Sequence, residues 1–291
     1  MSASTLLQKF GWRRLSRLEI VQLVSLTIIA IVVVSPLIIL VVASLKPDRF
    51  AILADMGSMR AFWVDDPTLN NYREILSFDG ALPFGRYLVN SVFILLTTVT
   101  GGLLINSMAA FVLAWGQMRG RAVILSVLIA LYIIPQESIV MPLLVLVNKL
   151  GMSDGFSAQI LPWMASPIYI FLFYQFFKQV PKDIVEAARM DGASLFRIYW
   201  SIFVPLSLPV MATVTILLGI DMWNQYLWPM LVTQSDYARP ISVAIAGFFG
   251  QDTVFWNTAM AASVLMMVPV LVFYLFFQKW FMNSFAGAVK G

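Results

Sequence analysis

Long uncharged apolar runs alternate along the chain with short charged links. Uncharged runs occupy residues 20–45, 87–118, 155–177, 198–220 and 253–278, and a sixth, 122–148, is broken only by Glu137. As helices rising 1.5 Å per residue, each is long enough to cross a hydrocarbon core of about 30 Å. The pattern predicts an all-α integral membrane protein with six transmembrane helices. The first run exceeds the roughly 7–15 residues of a secretory h-region, and no small-residue cleavage pattern follows, so it reads as a span. In the long link after it, "FWVDDPTLNNYREIL" (62–76) has a proline and then weak helical spacing through Tyr72, Ile75 and Leu76. This predicts a small folded segment, suited either to an external partner or to capping the bundle.

One link is unlike the others. "EAARMDGASLFRIYWSIFVPLSLP" (186–209) packs two acids, small residues, two basic residues and two prolines between apolar runs. After Pro181 the spacing predicts a short helix over 183–190, with Ile184, Ala187 and Ala188 on one face. Asp191-Gly192 breaks it, Ser194 caps a second short helix, and Pro205 and Pro209 bend the approach to the fifth span. Alanines allow close backbone approach and Glu186 supplies one placed charge, a combination that suits docking into a groove of another protein. An interfacial amphipathic helix would favour a bulkier apolar face and a basic polar one.

Composition narrows the chemistry. The 291 residues are 60% hydrophobic and 12% charged, about half the charge of a soluble domain. Cysteine and histidine are absent, which removes disulfides, thiolate nucleophiles, Cys/His metal sites and the usual proton-transfer base. The sequence contains neither an internal repeat nor a Gly-rich phosphate loop. A pI near 9.4 does not signal nucleic acid, because the basic residues flank spans. With six spans both termini share a side, which holds twelve Lys/Arg residues against seven on the other, five of those in the longest loop. That bias predicts cytoplasmic termini and a cytoplasmic 186–209 link.

Polar residues inside spans are candidates by default, since unpaired they cost several kcal/mol in hydrocarbon. Asp221, Trp223, Asn224, Gln225, Tyr226 and Trp228 cluster near the end of the fifth run, where Pro229 is expected to interrupt the helix. Aromatic rings stack on sugars, and Asp, Asn and Gln bind hydroxyls, so a substrate pocket and a structural polar knot are both open. Gln136 and Glu137, after Pro135, suit either the path or a contact with a partner. Asn90, Thr97, Thr98, Thr100 and Asn106 read as helix-to-helix glue, with Gly101–Gly102 as a close-packing point.

The stretch "EAARMDGA…IFVPLSLP" resembles the EAA signature of permease subunits of binding-protein-dependent ABC importers. "SLKP" (44–47), "RYLVNSVFI" (86–94), "MAAFVLAW" (108–115), "IPQESIVMPL" (134–143), "WNQYLWP" (223–229) and "AGAVKG" (286–291) are similar to the sugar-importer branch typified by the maltose permease's G-type subunit. The resemblance runs from about residue 34 to the end. It implies a type I ABC importer permease fold with a cytoplasmic EAA coupling helix, in a bacterial or archaeal cytoplasmic (inner) membrane. Its parts would be a cytoplasmic segment 1–19, a first helix 20–45, an external loop 46–86, a five-helix core 87–281 with coupling loop 179–208, and a cytoplasmic tail 282–291. Glu186, Ala187, Ala188, Asp191, Gly192 and Ala193 would couple to a cytoplasmic ATPase subunit. The chain would bind no cofactor and catalyse nothing, with ATP and Mg on two ATPase subunits. It would work with a second permease, as a heterodimer, and an extracytoplasmic solute-binding protein. The branch points to a saccharide, polyol or glycoside. "WNQYLWP" is also similar to glycerol-phosphate permeases, which keeps an anionic solute open. An ion-coupled carrier would want more intramembrane acids than Glu137 and Asp221, and an inert scaffold would need no coupling element.

Overall fold

A computed structural model describes residues 16–77, 83–249 and 254–288. Most of the N-terminal basic cluster and the last three residues of the "AGAVKG" tail lie outside the described residues. Among those described, the structure is all α. Three helices are individually long and apolar enough to cross a membrane: α1 (Arg17–Ser44), α4 (Phe84–Trp115) and the last, whose membrane-crossing part is Trp256–Phe276. Three bent pairs supply the other spans, for six in all. They are α5 (Arg121–Ile133) with α6 (Gln136–Lys149), α7 (Phe156–Met164) with α8 (Pro167–Phe177), and α10 (Leu195–Leu206) with α11 (Leu208–Asn224). Short helices α2 (Ala51–Asp55) and α3 (Asn70–Ile75) fold the first long link, and α9 (Lys182–Met190) precedes α10. Beyond α11 come α12 (Leu227–Val232), α13 (Ile241–Phe249) and α14 (Trp256–Ala288).

The expected third span is not straight. Its halves meet at 99°, because Ile134 and Pro135 are both extended. Proline disfavours helical backbone in the residue before it and cannot donate to the preceding turn. Gln136 and Glu137 therefore open a new helix, with Glu137 in its first turn, where backbone amide dipoles favour an acid.

The chain divides into two compact units, one of Met1–Asn71 with Phe255–Ala261 and one of Tyr72–Val254 with Ala262–Gly291. In the first, Asn71 Nδ2 donates to Ser44 O at 2.8 Å and Lys46 O at 3.0 Å, and Asn257 Nδ2 donates to Asn71 Oδ1 at 2.9 Å. Lys46, itself buried, pairs with Asp55 and donates to Arg60 O at 2.9 Å. The "SLKP" stretch is thus the turn that holds this unit's short helices.

In the second unit α4 is the hub, packing along α7, α8, α11 and α13. Several of its polar residues stitch it to neighbouring segments. Asn90 Nδ2 donates to Tyr237 O and Arg239 O, both at 3.0 Å, and Ser91 Oγ accepts from Ile241 N at 2.8 Å. Ser107 hydrogen-bonds with Tyr199 of α10 at 2.7 Å. Asn106 closes the break between α7 and α8: its Nδ2 donates to Met164 O at 2.8 Å and its Oδ1 accepts from Ser166 N at 2.9 Å. The approach that permits this needs glycine. A Cβ on Gly102 would stand 2.7 Å from Leu218 Cδ2 and 3.2 Å from Met164 O. At the opposite end from α9, the Asp154 carboxylate accepts from Gln234 N and Ser235 N at 2.8 and 2.9 Å. Those bonds, Ser235's foremost, hold its carboxyl below the usual carboxylate range.

Asn106→Leu should therefore destabilise this unit, stranding a carbonyl and an amide at a worth of about 1–3 kcal/mol. Thermal unfolding in detergent checks this. An unchanged midpoint would mean that the break in the fourth span does not depend on Asn106.

Candidate functional site

The EAA stretch forms a rigid bracket. Pro181 leads into α9, and Gly192, at φ +78°, turns the chain out of it. Only glycine takes that conformation without strain. Ala193 N returns to Ala188 O at 3.0 Å, and Ser194 Oγ accepts from Arg197 N to start α10. The sequence spacing set Ile184, Ala187 and Ala188 on one face, and the residue that anchors the helix is one it did not single out. Val185, 1% exposed, is the buried anchor, with Ala188 half-buried beside it, while Ile184 and Ala187 are exposed. Burying that valine is worth about 1.5–3 kcal/mol. Val185, Ala188 and Ala193 pack into the cluster of Phe111, Phe177, Tyr199 and Phe203. Arg189 Nη2 donates to Trp115 O at 3.3 Å, and Trp115 Nε1 to Phe177 O at 3.0 Å. The outward face carries Asp183, Glu186, Ala187 and Met190, the last 88% exposed. Asp191 is also exposed.

The residues 221–228 separate into two kinds. Trp228, 2% exposed, donates from Nε1 to Ala158 O at 2.9 Å and meets Trp163 edge-on. That carbonyl needs a partner, because Pro162, four residues later, has no N–H to give it. Trp223, 6% exposed, donates to Met266 O at 3.2 Å. Both indoles thus satisfy backbone carbonyls of neighbouring helices. Asp221, Asn224 and Tyr226 are exposed and Gln225 is half-buried. Gln136 and Glu137 are exposed as well.

The helix is interrupted at Gln225–Tyr226, not at Pro229, which sits in the first turn of α12. Proline is tolerated in a first turn. Its missing N–H still frees Gln225 O, which accepts instead from Ser242 Oγ at 2.7 Å. Asp221 Oδ2 accepts from Tyr169 Oη at 2.8 Å. Tyr169 was not legible as a site residue, because it lies in the aromatic run of α8 and its partner is 52 residues away. Among the described residues no group of three or more acidic side chains is arranged to hold a metal ion.

The family model described as "Binding-protein-dependent transport system inner membrane component" matches residues 102–286. The chain belongs to that family. It is a permease subunit of an ATP-driven ABC importer, an inner-membrane transport component and not an enzyme. It is 32% identical over 264 residues to the arabinooligosaccharides transport system permease protein AraQ of Halalkalibacterium halodurans, covering 90% of this chain and 93% of that one. It is also 32% identical over 281 residues to the trehalose/maltose transport system permease protein MalG of Thermococcus litoralis, covering 94% and 97%. A chain of the crystal structure of a bacterial ABC transporter involved in import of the acidic polysaccharide alginate superposes with a TM-score of 0.78 at 24% identity, covering 92% of this chain and 99% of that one. That likeness shows the type I permease fold.

The indole–carbonyl bond of this permease gives a double-mutant test. Trp228→Phe should cost about 1–3 kcal/mol in unfolding by leaving Ala158 O unpaired. In a Pro162→Ala background the new N–H can serve that carbonyl, so the same change should cost much less. Additive effects of the two changes on the melting midpoint would refute the pairing.

Proposed function

We propose that this permease forms half of the membrane path for a saccharide or related polyol or glycoside. α9 would be its cytoplasmic joint to one of two ATPase subunits. The observation that carries this reading is the two-faced build of α9. Its Val185–Ala188 side is packed into the bundle, while Glu186 and its neighbours face outward. A helix fixed on one face and bare on the other can pass a rigid-body displacement from a partner into the spans. Glu186, Ala187, Ala188, Asp191, Gly192 and Ala193 make up that joint, with Glu186 meeting a basic residue of the ATPase. ATP and Mg stay on the ATPase subunits.

A second permease completes the path as a heterodimer, and an extracytoplasmic binding protein delivers the solute, in keeping with a binding-protein-dependent family. Both termini lie in the cytoplasm and the 46–86 segment outside. Parts 1–19, 20–45, 46–86, 87–281 and 282–291 then act as cytoplasmic N-terminal segment, first helix, external loop, transporter core and cytoplasmic tail. The saccharide class is supported by the arabinooligosaccharide and trehalose/maltose permeases to which the chain is similar. On this reading Asp221, Asn224, Gln225, Tyr226, Gln136 and Glu137 have surface to offer the path. Trp223 and Trp228 brace it from behind.

Glu186→Lys and Gly192→Pro should each abolish uptake while leaving the chain inserted and the permease pair intact. Charge reversal repels a basic groove, and proline cannot adopt φ +78°. Transport at the wild-type rate with normal ATPase stimulation in either variant would displace the joint. A reporter fused after Gly291 should read cytoplasmic and one inserted between residues 65 and 71 external, and the reverse would sink the orientation.

A further inference from the structure

We infer that Asp221, held by Tyr169, is a hydrogen-bond-accepting ligand site on the solute path that takes uncharged, hydroxyl-rich solutes and turns away anions. This rests on the proposed importer function and names the charge class of its solute.

Depth comes first. α7 and α8 run from Phe156 to Phe177, and the break that Asn106 closes lies near their midpoint. Tyr169 is the third residue of α8, just past that break, and is buried at 5% exposure. Its bond to Asp221 places the carboxylate near the middle of the fourth span. Asp221 is nevertheless exposed on its other side. A carboxylate facing acyl chains at that depth would cost several kcal/mol, so its open side faces water or a partner.

The chemistry there is one-sided. Tyr169 occupies one position on the carboxylate, Oδ2. Among the described residues the ion pairs are Lys46–Asp55 and Arg239–Asp236, and neither involves Asp221. No Lys or Arg occurs within 87–118, 155–177 or 198–220. Three residues on, and so on the same helical face, exposed Asn224 gives its Nδ2 to Ile220 O at 3.0 Å. That uses one of its two amide N–H groups and leaves Oδ1 and the other N–H open. The face therefore presents a carboxylate oxygen and a neutral amide, and no cation. Such a surface is satisfied by O–H donors and repels phosphate or carboxylate groups. Tyr169 is a positioning residue: it fixes the carboxylate rotamer and touches no solute.

The test uses the whole complex in proteoliposomes, with both permeases, the ATPases and the binding protein. Its probes are maltose, trehalose and arabinooligosaccharides against sn-glycerol 3-phosphate and alginate oligosaccharide. The wild type should carry a neutral probe and neither anion. At saturating loaded binding protein, Asp221→Asn should lower neutral uptake about three- to tenfold, the worth of one hydrogen bond. Binding-protein-stimulated ATP hydrolysis and complex yield should stay at wild-type values. Tyr169→Phe should reproduce a smaller loss with the same split between uptake and hydrolysis, which a merely structural defect would not show. Unchanged neutral uptake in Asp221→Asn overturns this inference and leaves the saccharide importer standing. A loss of complex yield in that variant also overturns it, showing that Asp221 is paired with a cation of the second permease. Preferential uptake of alginate oligosaccharide overturns this inference and leaves the saccharide importer standing, whereas preferential uptake of sn-glycerol 3-phosphate, or of no probe at all, overturns both.

Discussion

A hydrocarbon interior offers no hydrogen bonds, so a span that breaks must find partners for its freed backbone groups inside the protein. The second unit of this permease is built around that constraint. Three of its spans are broken, and specific side chains serve the breaks. Asn106 takes the carbonyl and amide on either side of Ala165. Trp228 takes the carbonyl that Pro162 leaves open, and Ser242 the one that Pro229 leaves open. Each break so closed is rigid and also places a polar residue at depth without exposing loose backbone.

The breaks in turn position the proposed solute-facing surface. Asp221 precedes the Gln225–Tyr226 interruption and Tyr169 follows the Ala165–Ser166 interruption, and the two meet at 2.8 Å. A straight α8 would carry Tyr169 on a different line along α11. Discontinuous helices at mid-depth are where transporters characteristically hold solute, and here the sequence of prolines explains where the discontinuities fall.

Much of this was legible in the chain. Charge-free runs located the spans within a few residues, because crossing a membrane fixes both length and composition. The α9–Gly192–Ser194 bracket was legible too, since proline, glycine and a capping serine each act locally. What the sequence could not show depends on contacts between distant residues. The spacing picked out the alanines of α9 but not Val185, whose burial depends on a cluster that includes the distant Phe111 and Phe177. Pro229 was expected to mark an interruption that falls three residues earlier, since proline acts on the turn before it. The two tryptophans of "WNQYLWP" stood beside Asp221 and Asn224 as pocket candidates. Only the positions of Met266 O and Ala158 O separate indoles that brace from polar groups that face outward.

The same packing joins the two ends of the proposed mechanism. Val185 of α9, Ile198 and Phe203 of α10, and Val214 and Leu218 of α11 belong to one buried cluster. The 76° bend between α10 and α11 looks like a hinge, yet its bonds argue otherwise. Ser207 is fully buried, its N–H reaches Phe203 O at 2.9 Å, its hydroxyl reaches Val204 O at 2.9 Å, and its carbonyl accepts from Met211 N at 2.8 Å. Every hydrogen-bonding group of that residue is engaged, so the bend is a fixed elbow. Close-packed interiors transmit displacement instead of absorbing it. A push on the Glu186 face therefore reaches α11, three residues beyond whose Leu218 stands Asp221, without a soft joint between. On the proposed mechanism, motion would be taken up between subunits and not inside the elbow that links α9 to α11.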